Sequence, residues 1–290
     1  MSQQYLLCTD LDRTLLPNGK QKESGNARHY FERVSAFPDV TLAYVSGRDS
    51  ILVKQAVEQY MIPAPDFAVC DVGTTIYCVG EGGWDMLEDW HHSIASDWNG
   101  YPHSAMASLF ADIDVLQLQE WENQNTFKLS YYVAISHDRV SLLEDMETRL
   151  YDAGVKANLI WSIDEEKETA LLDVIPASAT KKHAINFLQS LKGIPDTKTL
   201  FAGDSGNDLP VLISSIPSVL VANATEEVKQ EATLLSRSLS TGDALYIATG
   251  GYQGMNGNYS AGILEGLSYY YPDLAERLEE FLNISDENKV

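Results

Sequence analysis

Basic residues and cysteines are scarce in this chain, and long apolar runs are absent. Its 290 residues include 20 Lys and Arg against 42 Asp and Glu, a formal net charge of −22 at pH 7. A nucleic-acid surface needs a basic footprint, so nucleic acid is excluded as the expected partner. No stretch reaches the roughly 18 apolar residues of a membrane span, and no basic segment followed by a long apolar run opens the chain. We therefore expect a cytoplasmic protein that does not cross a membrane.

The three cysteines, Cys8, Cys70 and Cys78, are odd in number and lack the spacing of a metal site. We expect small buried side chains in a reducing compartment. Cys8 has no evident base partner that would make it a nucleophile. His91 and His92 suggest a metal site, but neighbours on a helix point in different directions and no third ligand stands at suitable spacing. Solvated or core-edge histidines are the preferred interpretation.

Apolar runs and amphipathic segments alternate in the first part of the chain. Residues 5–8, 41–45 and 67–70 are typical of buried strands, and residues 26–34 and 51–60 are typical of helices. Strands that alternate with helices predict a parallel, doubly wound α/β sheet. With 44% hydrophobic and 21% charged residues, the chain is expected to be globular, with one large or two ordinary domains.

A change in composition near residue 80 indicates an inserted domain. Residues 127–135 and 156–163 are predicted strands, and residues 140–153 are a predicted helix between them. Residues 171–175 are predicted to return the chain to the first sheet. We therefore predict a core formed by residues 1–80 and 171–290, with an α+β cap at residues 81–170.

Four polar clusters follow strand-like segments. They contain Asp10 and Asp12; Ser46, Gly47 and Arg48; Lys181; and Asp204, Asn207 and Asp208. Two aspartates alone are most often part of a solvated loop. Ligands of open α/β sheets bind beyond the carboxyl ends of the strands, so four such clusters are expected to converge on one edge.

This ordered set, with DxDxT at residues 10–14 and GDxxND at residues 203–208, resembles the haloacid-dehalogenase-like (HAD) phosphatase superfamily. Residues 72–77, 127–131 and 261–267 are similar to the sucrose-phosphate phosphatase branch. The resemblance implies a Rossmann-like α/β core with an inserted cap of the C2 type. It also implies a Mg²⁺-dependent phosphatase that acts on a small sugar phosphate.

By this resemblance Asp10 is the nucleophile that forms an aspartyl-phosphate, and Asp12 is the general acid and base. The acid role requires a raised pKa, which burial near Asp10 favours and which Arg48 and a metal oppose. Asp10 and Asp204 would be direct Mg²⁺ ligands with the backbone carbonyl of Asp12, and Asp208 would orient the ion or its waters.

Lys181 is expected to neutralise charge in the transition state, with Lys182 as its rival. The Ser46 hydroxyl and the Gly47 amide are expected to donate to phosphate oxygens. Arg48 is expected either to contact phosphate or sugar, or to form a structural ion pair.

Six further residues complete the predicted binding group. Thr14 would bond locally to hold the first loop, and Asn207 would brace Lys181 or the metal loop. Lys128 and Ser130 are expected to share a strand face turned toward the sugar, or to lie on an ordinary exposed strand face. From the core, Thr74 and Thr75 would also contribute.

Arg13 departs from the family pattern, which often has Gly or Asn at this position. Its side chain is expected either to bind substrate or to shield acidic neighbours.

Sucrose 6-phosphate is the expected substrate, with mannosylfructose phosphate or a similar ester as the alternative. A phosphomutase would need convergent cap arginines, yet Arg139 and Arg149 lie on or beside a predicted surface helix. A non-catalytic sugar-binding protein has no evident reason to keep the full catalytic set. A sugar-phosphate synthase is a further expected partner.

Overall fold

The computed structural model describes residues 4–164 and 167–287, which include two β-sheets. The strands are β1 (Tyr5–Thr9), β2 (Val40–Val45), β3 (Phe67–Cys70), β4 (Thr75–Gly80), β5 (Gly83–Met86), β6 (Gln117–Leu118), β7 (Leu129–Ala134), β8 (Ala157–Asp164), β9 (Thr169–Pro176), β10 (Thr199–Gly203), β11 (Ser218–Leu220) and β12 (Leu245–Ile247). The α-helices are α1 (Ala27–Ser35), α2 (Ser50–Tyr60), α3 (Glu88–Ala95), α4 (His103–Ser108), α5 (Arg139–Asp152), α6 (Lys181–Lys192), α7 (Leu209–Leu212), α8 (Glu226–Ser238), α9 (Ser260–Tyr270) and α10 (Pro272–Glu287). None of these helices is long and apolar enough to cross a membrane.

The larger sheet has the strand order β12-β11-β10-β1-β2-β3-β4-β5. The six strands from β12 to β3 are parallel, whereas β4 and β5 are antiparallel additions at one edge. The predicted doubly wound α/β core is therefore confirmed, with a mixed edge.

Strand β1 lies at the centre of this sheet and is buried on both faces. Tyr5 and Leu7 pack in the cluster that α1, α2, α9 and α10 cover. Leu6 and Cys8 pack in the opposite cluster with α3, α6, α7 and α8. Because both faces are covered, the strand lacks the polar alternation of a half-exposed strand. Cys8 is a free, buried thiol, as predicted.

The smaller sheet is antiparallel, with the order β6-β7-β9-β8. Its buried side packs against α4 and α5 around Trp98 and Met146. This arrangement is the α+β unit that the sequence predicted between the two halves of the core.

Two strands lie on the other side of the predicted boundaries. Residues 171–175, predicted to rejoin the core, belong to β9, which pairs with β7 and along its whole length with β8. Residues 83–86, predicted to lie in the cap, form β5 at the edge of the larger sheet. An apolar run indicates that a strand is buried, but the run does not identify the sheet that buries it.

Candidate active site

The carboxyl ends of four neighbouring strands meet at one edge of the larger sheet. Asp204 follows β10, Asp10 follows β1, Ser46 follows β2 and Asp71 follows β3. The Asp10 amide donates to the carbonyl oxygen of Ala202 at 2.9 Å, which joins the ends of β1 and β10. The structure thus brings the predicted clusters together and adds Asp71. Its position directly after a predicted strand was the signal that could have identified it.

Three buried carboxylates form a group that could hold a cation. Asp10, Asp204 and Asp208 are 6%, 3% and 0% exposed, and each offers an oxygen within 4.8 Å of the others. Asp204 Oδ2 accepts no hydrogen bond from the described residues. Hard oxygen donors and a buried acceptor without a donor fit a cation such as Mg²⁺. The Asp12 carboxylate is not part of this group.

Asp208 is held in place by the loop that carries it. Its Oδ2 accepts hydrogen bonds from the amides of Asp204 and Ser205 at 3.0 and 3.1 Å. Gly203 makes room for this side chain, because a Cβ at that position would lie 2.5 Å from Asp208 Cγ. Asp208 therefore orients the loop that carries Asp204, a candidate cation ligand.

Lys181 is the first residue of α6, and its side chain enters the carboxylate group. Its Nζ lies 3.2 Å from Asp10 Oδ2 and 2.7 Å from Asp208 Oδ1. It also donates to Asn207 Oδ1 at 3.2 Å, so Asn207 braces Lys181. This geometry places Lys181, rather than Lys182, at the candidate site.

Burial controls the charge state of these groups. It raises the pKa of Asp10 to about 7, against the opposing effect of Lys181. Burial and the neighbouring Asp208 raise the pKa of Asp204 to about 6. Burial also disfavours the charged form of Lys181, but Asp10 and Asp208 outweigh it and raise the pKa of that amine. A bound cation would favour the ionised carboxylates.

The Asp12 carboxylate is paired with Arg48. Arg48 Nε donates to Asp12 Oδ2 at 2.7 Å and Nη2 donates to Oδ1 at 2.6 Å, while Asn18 donates to Oδ1 at 2.6 Å. Burial acts to raise the pKa of Asp12, but these hydrogen bonds outweigh it and the pKa is lowered. The balance between burial and Arg48 that the sequence left open thus falls on the side of Arg48, and the raised pKa that the acid role requires is not found in this arrangement. Of the alternatives for Arg48, the structure shows the ion pair.

Two cavities lie where the smaller sheet faces the site. The first, of ≈ 360 Å³, is lined by Arg48 and Asp71 from the core and by Lys128 and Asp173 from the cap. The second, of ≈ 290 Å³, reaches Lys181 and Asn207. Gly47, Val72 and Ile160 line both cavities.

Several cavity residues were missed by the sequence analysis. Asp173, Glu122 and Lys167 line the larger cavity together with the predicted Lys128. Asp173 is a charged residue inside the apolar strand β9, whose burial alternates. This alternation could have identified Asp173 as a cavity residue, because a charged side chain at a half-buried position of a strand points away from the core.

Five predicted binding residues lie behind the cavity walls. Thr14, Ser46, Thr74, Thr75 and Ser130 are at most 3% exposed. None of them lines either cavity. These hydroxyls therefore do not line the cavities, and the predicted contacts of Ser46, Thr74, Thr75 and Ser130 with substrate stay predictions.

These hydroxyls hold the carboxylates in place. Thr14 donates to Asp204 Oδ1 at 3.3 Å, which is a contact between loops rather than the local bond predicted. Thr75 donates to Asp71 Oδ2 at 2.8 Å.

Two further hydrogen bonds involve the cap, one within its sheet and one to the core. Ser130 donates to Asp173 Oδ1 at 2.5 Å. Thr74 accepts a hydrogen bond at 2.8 Å from the cap residue Asn125, which connects the two domains.

Arg13 shields an acidic neighbour, one of its two predicted roles. Its Nε lies 3.3 Å from Asp204 Oδ2. The Arg13 side chain is 45% exposed, whereas that of Asp204 is 3% exposed. The guanidinium therefore reaches the buried carboxylate group from the surface.

Comparison with known proteins agrees with this geometry. The family model described as sucrose-6F-phosphate phosphohydrolase matches residues 3–271. The chain is 48% identical over 279 residues to an HAD-like hydrolase from Nitrosococcus oceani, covering 96% of this chain and 75% of that protein. It is 26% identical over 228 residues to mannosylfructose-phosphate phosphatase from Agrobacterium fabrum, covering 77% and 85%.

The fold is similar to that of a solved sucrose-phosphatase. That structure, from Synechocystis sp. PCC6803, was determined in complex with sucrose and phosphate. It superposes with a TM-score of 0.67 at 22% identity, covering 92% of this chain and 98% of that chain. At this identity the likeness supports the fold, including the cap.

Proposed function

Because the chain belongs to the sucrose-6F-phosphate phosphohydrolase family of the HAD superfamily, we propose that it is a Mg²⁺-dependent phosphatase that hydrolyses sucrose 6-phosphate to sucrose and phosphate. Its family makes it a phosphoric monoester hydrolase and its relatives are sugar phosphatases. One observation carries the proposal: Lys181 Nζ lies 3.2 Å from Asp10 Oδ2, beside two further buried carboxylates. A mannosylfructose phosphate is the second candidate substrate, because a relative is named for that activity.

In the proposed reaction Asp10 attacks phosphorus and the ester P–O bond breaks. The phosphoryl group passes to Asp10 as an aspartyl-phosphate, and the departing sugar oxygen takes a proton from Asp12. Water then attacks phosphorus, Asp12 takes its proton, and phosphate leaves. Lys181 and the Gly47 amide would balance charge on the phosphoryl oxygens. Asp10 and Asp204 would hold Mg²⁺, which supplies positive charge against those oxygens.

The pair with Arg48 leaves Asp12 in the form that the second half of this cycle needs. It keeps the carboxylate ionised, and only the ionised form can accept a proton from water. Donation of a proton in the first half requires that the pair with Arg48 be weakened. We therefore propose that the substrate, on entering, draws Arg48 away from Asp12.

The larger cavity has the chemistry to bind a sugar. Asp71 from the core and Asp173 from the cap supply hydrogen-bond acceptors for sugar hydroxyls, and Lys128 supplies a donor. Thr75 and Ser130 hold the two carboxylates from behind. A sugar bridging core and cap would thus be recognised by both domains. The volume of ≈ 360 Å³ falls in the range of small-molecule sites, which is about 300–1,000 Å³.

The test is phosphate release, with and without Mg²⁺, from five esters: sucrose 6-phosphate, mannosylfructose phosphate, trehalose 6-phosphate, glucose 6-phosphate and fructose 6-phosphate. We expect Mg²⁺-dependent release with a strong preference for the sucrose ester.

Variants test the proposed catalytic residues. Asp10→Asn should abolish turnover without unfolding the protein. Lys181→Met should lower kcat by at least about a hundredfold, whereas the matched Lys182→Met should leave it within about twofold. Equal losses in the two lysine variants, or full activity of Asp10→Asn, would contradict the mechanism.

The role of Asp12 can be tested with p-nitrophenyl phosphate. Its leaving group needs no proton, so Asp12→Asn should slow the first turnover, before Asp12 acts as a base, far less on this ester than on the sugar ester. Equal slowing of the first turnover on both esters would show that Asp12 does not protonate the leaving oxygen.

A cytoplasmic location and a synthase partner complete the proposal. The free thiols Cys8, Cys70 and Cys78 support a reducing compartment.

The proposed surface for a sugar-phosphate synthase contains Tyr269. This residue is 59% exposed and packs against Tyr246 with ring centroids 4.7 Å apart. Co-purification of Tyr269→Ala with a synthase as efficiently as wild type would remove this surface from consideration.

A further inference from the structure

The two basic side chains beside the carboxylate group contact different carboxylates. Lys181 contacts Asp10 and Asp208, whereas Asp204 is contacted by Arg13. Asp204 Oδ1 already accepts a hydrogen bond from Thr14, so Oδ2 is the oxygen that remains for a bound cation. Arg13 Nε faces that same oxygen, at 3.3 Å.

An unusual backbone conformation, fixed by hydrogen bonds, holds the Arg13 side chain in this position. Arg13 has a φ of +59°, a left-handed conformation that a long side chain rarely adopts. Its amide donates to Asn18 Oδ1 at 2.8 Å, and its carbonyl accepts from Asn223 Nδ2 at 2.6 Å. Asn223 is itself fixed, because its Oδ1 accepts from the Tyr259 amide at 2.8 Å. Hydrogen bonds on both sides of the residue thus maintain a costly backbone conformation.

We propose that Arg13 is a resident counter-ion of Asp204 that competes with the divalent cation for Asp204 Oδ2 and thereby weakens cation binding. The buried carboxylates repel one another, and without a divalent ion the guanidinium offsets part of that repulsion. When a cation binds Oδ2, the half-exposed Arg13 side chain can turn into solvent at little cost. The inference rests on the proposed cation site but on no particular sugar.

The variant Arg13→Asn tests this directly, because Asn tolerates the left-handed backbone. Lys20→Asn is the matched control: it removes the same charge from an exposed position in the same loop. Mg²⁺ alone is titrated into the EDTA-treated full chain by calorimetry at constant ionic strength. We expect Arg13→Asn to bind Mg²⁺ about three- to tenfold more tightly than wild type, and Lys20→Asn to stay within about twofold.

Thermal unfolding gives a second readout. The EDTA-treated Arg13→Asn protein should unfold at a lower temperature than wild type and should gain more from the same Mg²⁺ concentration. Unchanged or weaker Mg²⁺ binding by Arg13→Asn would overturn the inference. An equal effect of Lys20→Asn would also overturn it, because it would show a general effect of net charge. Failure of the proposed function would give a different result: the wild-type protein would bind Mg²⁺ but would release phosphate from none of the esters.

Discussion

Arg48 forms a two-bond ion pair with Asp12, at 2.7 and 2.6 Å, and so joins the loop after β2 to the loop after β1. This pair sets both the orientation and the charge of the proposed acid and base. Because guanidinium and carboxylate match each other in two parallel bonds, the pair fixes the carboxylate plane as well as its position.

Arg48→Lys should therefore lower kcat on the sugar ester by about ten- to a hundredfold, because a lysine cannot reproduce the two-bond geometry. The free energy of unfolding should change by less than about 1 kcal/mol, since the pair is partly exposed. Steady-state kinetics and urea unfolding measure the two effects. An unchanged kcat would contradict this role of the ion pair.

Gly203→Ala should both destabilise the protein and impair the cation group. The new Cβ would lie 2.5 Å from Asp208 Cγ, at the end of the buried strand β10. Overpacking of this kind costs about 1–3 kcal/mol. Gly206→Ala in the same loop is the control, because a Cβ there meets nothing within 4 Å. Equal melting temperatures of the two variants, measured by calorimetry, would contradict this account of Gly203.

Ser130→Ala should affect substrate binding rather than the chemical step. Ser130 holds Asp173, a cavity residue, by a hydrogen bond of 2.5 Å. Loss of this bond should raise KM for the sugar ester by about three- to tenfold and leave kcat within about twofold. Ser108→Ala is the control on the cap, since that hydroxyl donates to the Ser104 carbonyl on an exposed helix. An unaltered KM for Ser130→Ala would remove Asp173 from the proposed sugar site.

Asp39→Asn should reduce stability by a constant amount above about pH 4 and by progressively less at lower pH. Arg277 donates two hydrogen bonds of 2.8 Å to Asp39 and holds the pKa of that carboxyl below its usual value. A lowered folded-state pKa contributes stability that is present above the unfolded value of about 3.9 and is lost as pH falls through the folded value. The difference between wild type and variant, below about 1 kcal/mol at pH 7 because the pair is solvent-screened, should disappear once the pH lies below the folded-state pKa.

Urea unfolding at pH 7 and at low pH measures this effect. Asp114→Asn, which removes one charge at an exposed carboxylate for which the described residues include no ion-pair partner, is the control for the general effect of net charge. A constant difference between wild type and Asp39→Asn across the pH range would contradict the assignment.

The sequence by itself determined the edge of the sheet at which the site lies. Asp10, Ser46 and Asp204 each follow an apolar run, and parallel strands bring their carboxyl ends to one edge whatever the details of packing. The same local signal placed Lys181 at the start of a helix, where the structure confirms it. An apolar run followed by a polar residue is sufficient to locate this edge, because the direction of parallel strands determines where their carboxyl ends lie.

Tertiary structure alone decided which groups pair across the site. Asp12 lies 36 positions from Arg48, and Thr14 lies 190 positions from Asp204, so spacing along the chain cannot predict these partners. The exposure of each side chain and its hydrogen-bond partners then set its charge and its role. For the same reason an apolar run such as β9 could be assigned to a strand but not to a sheet, because burial depends on what packs against the run.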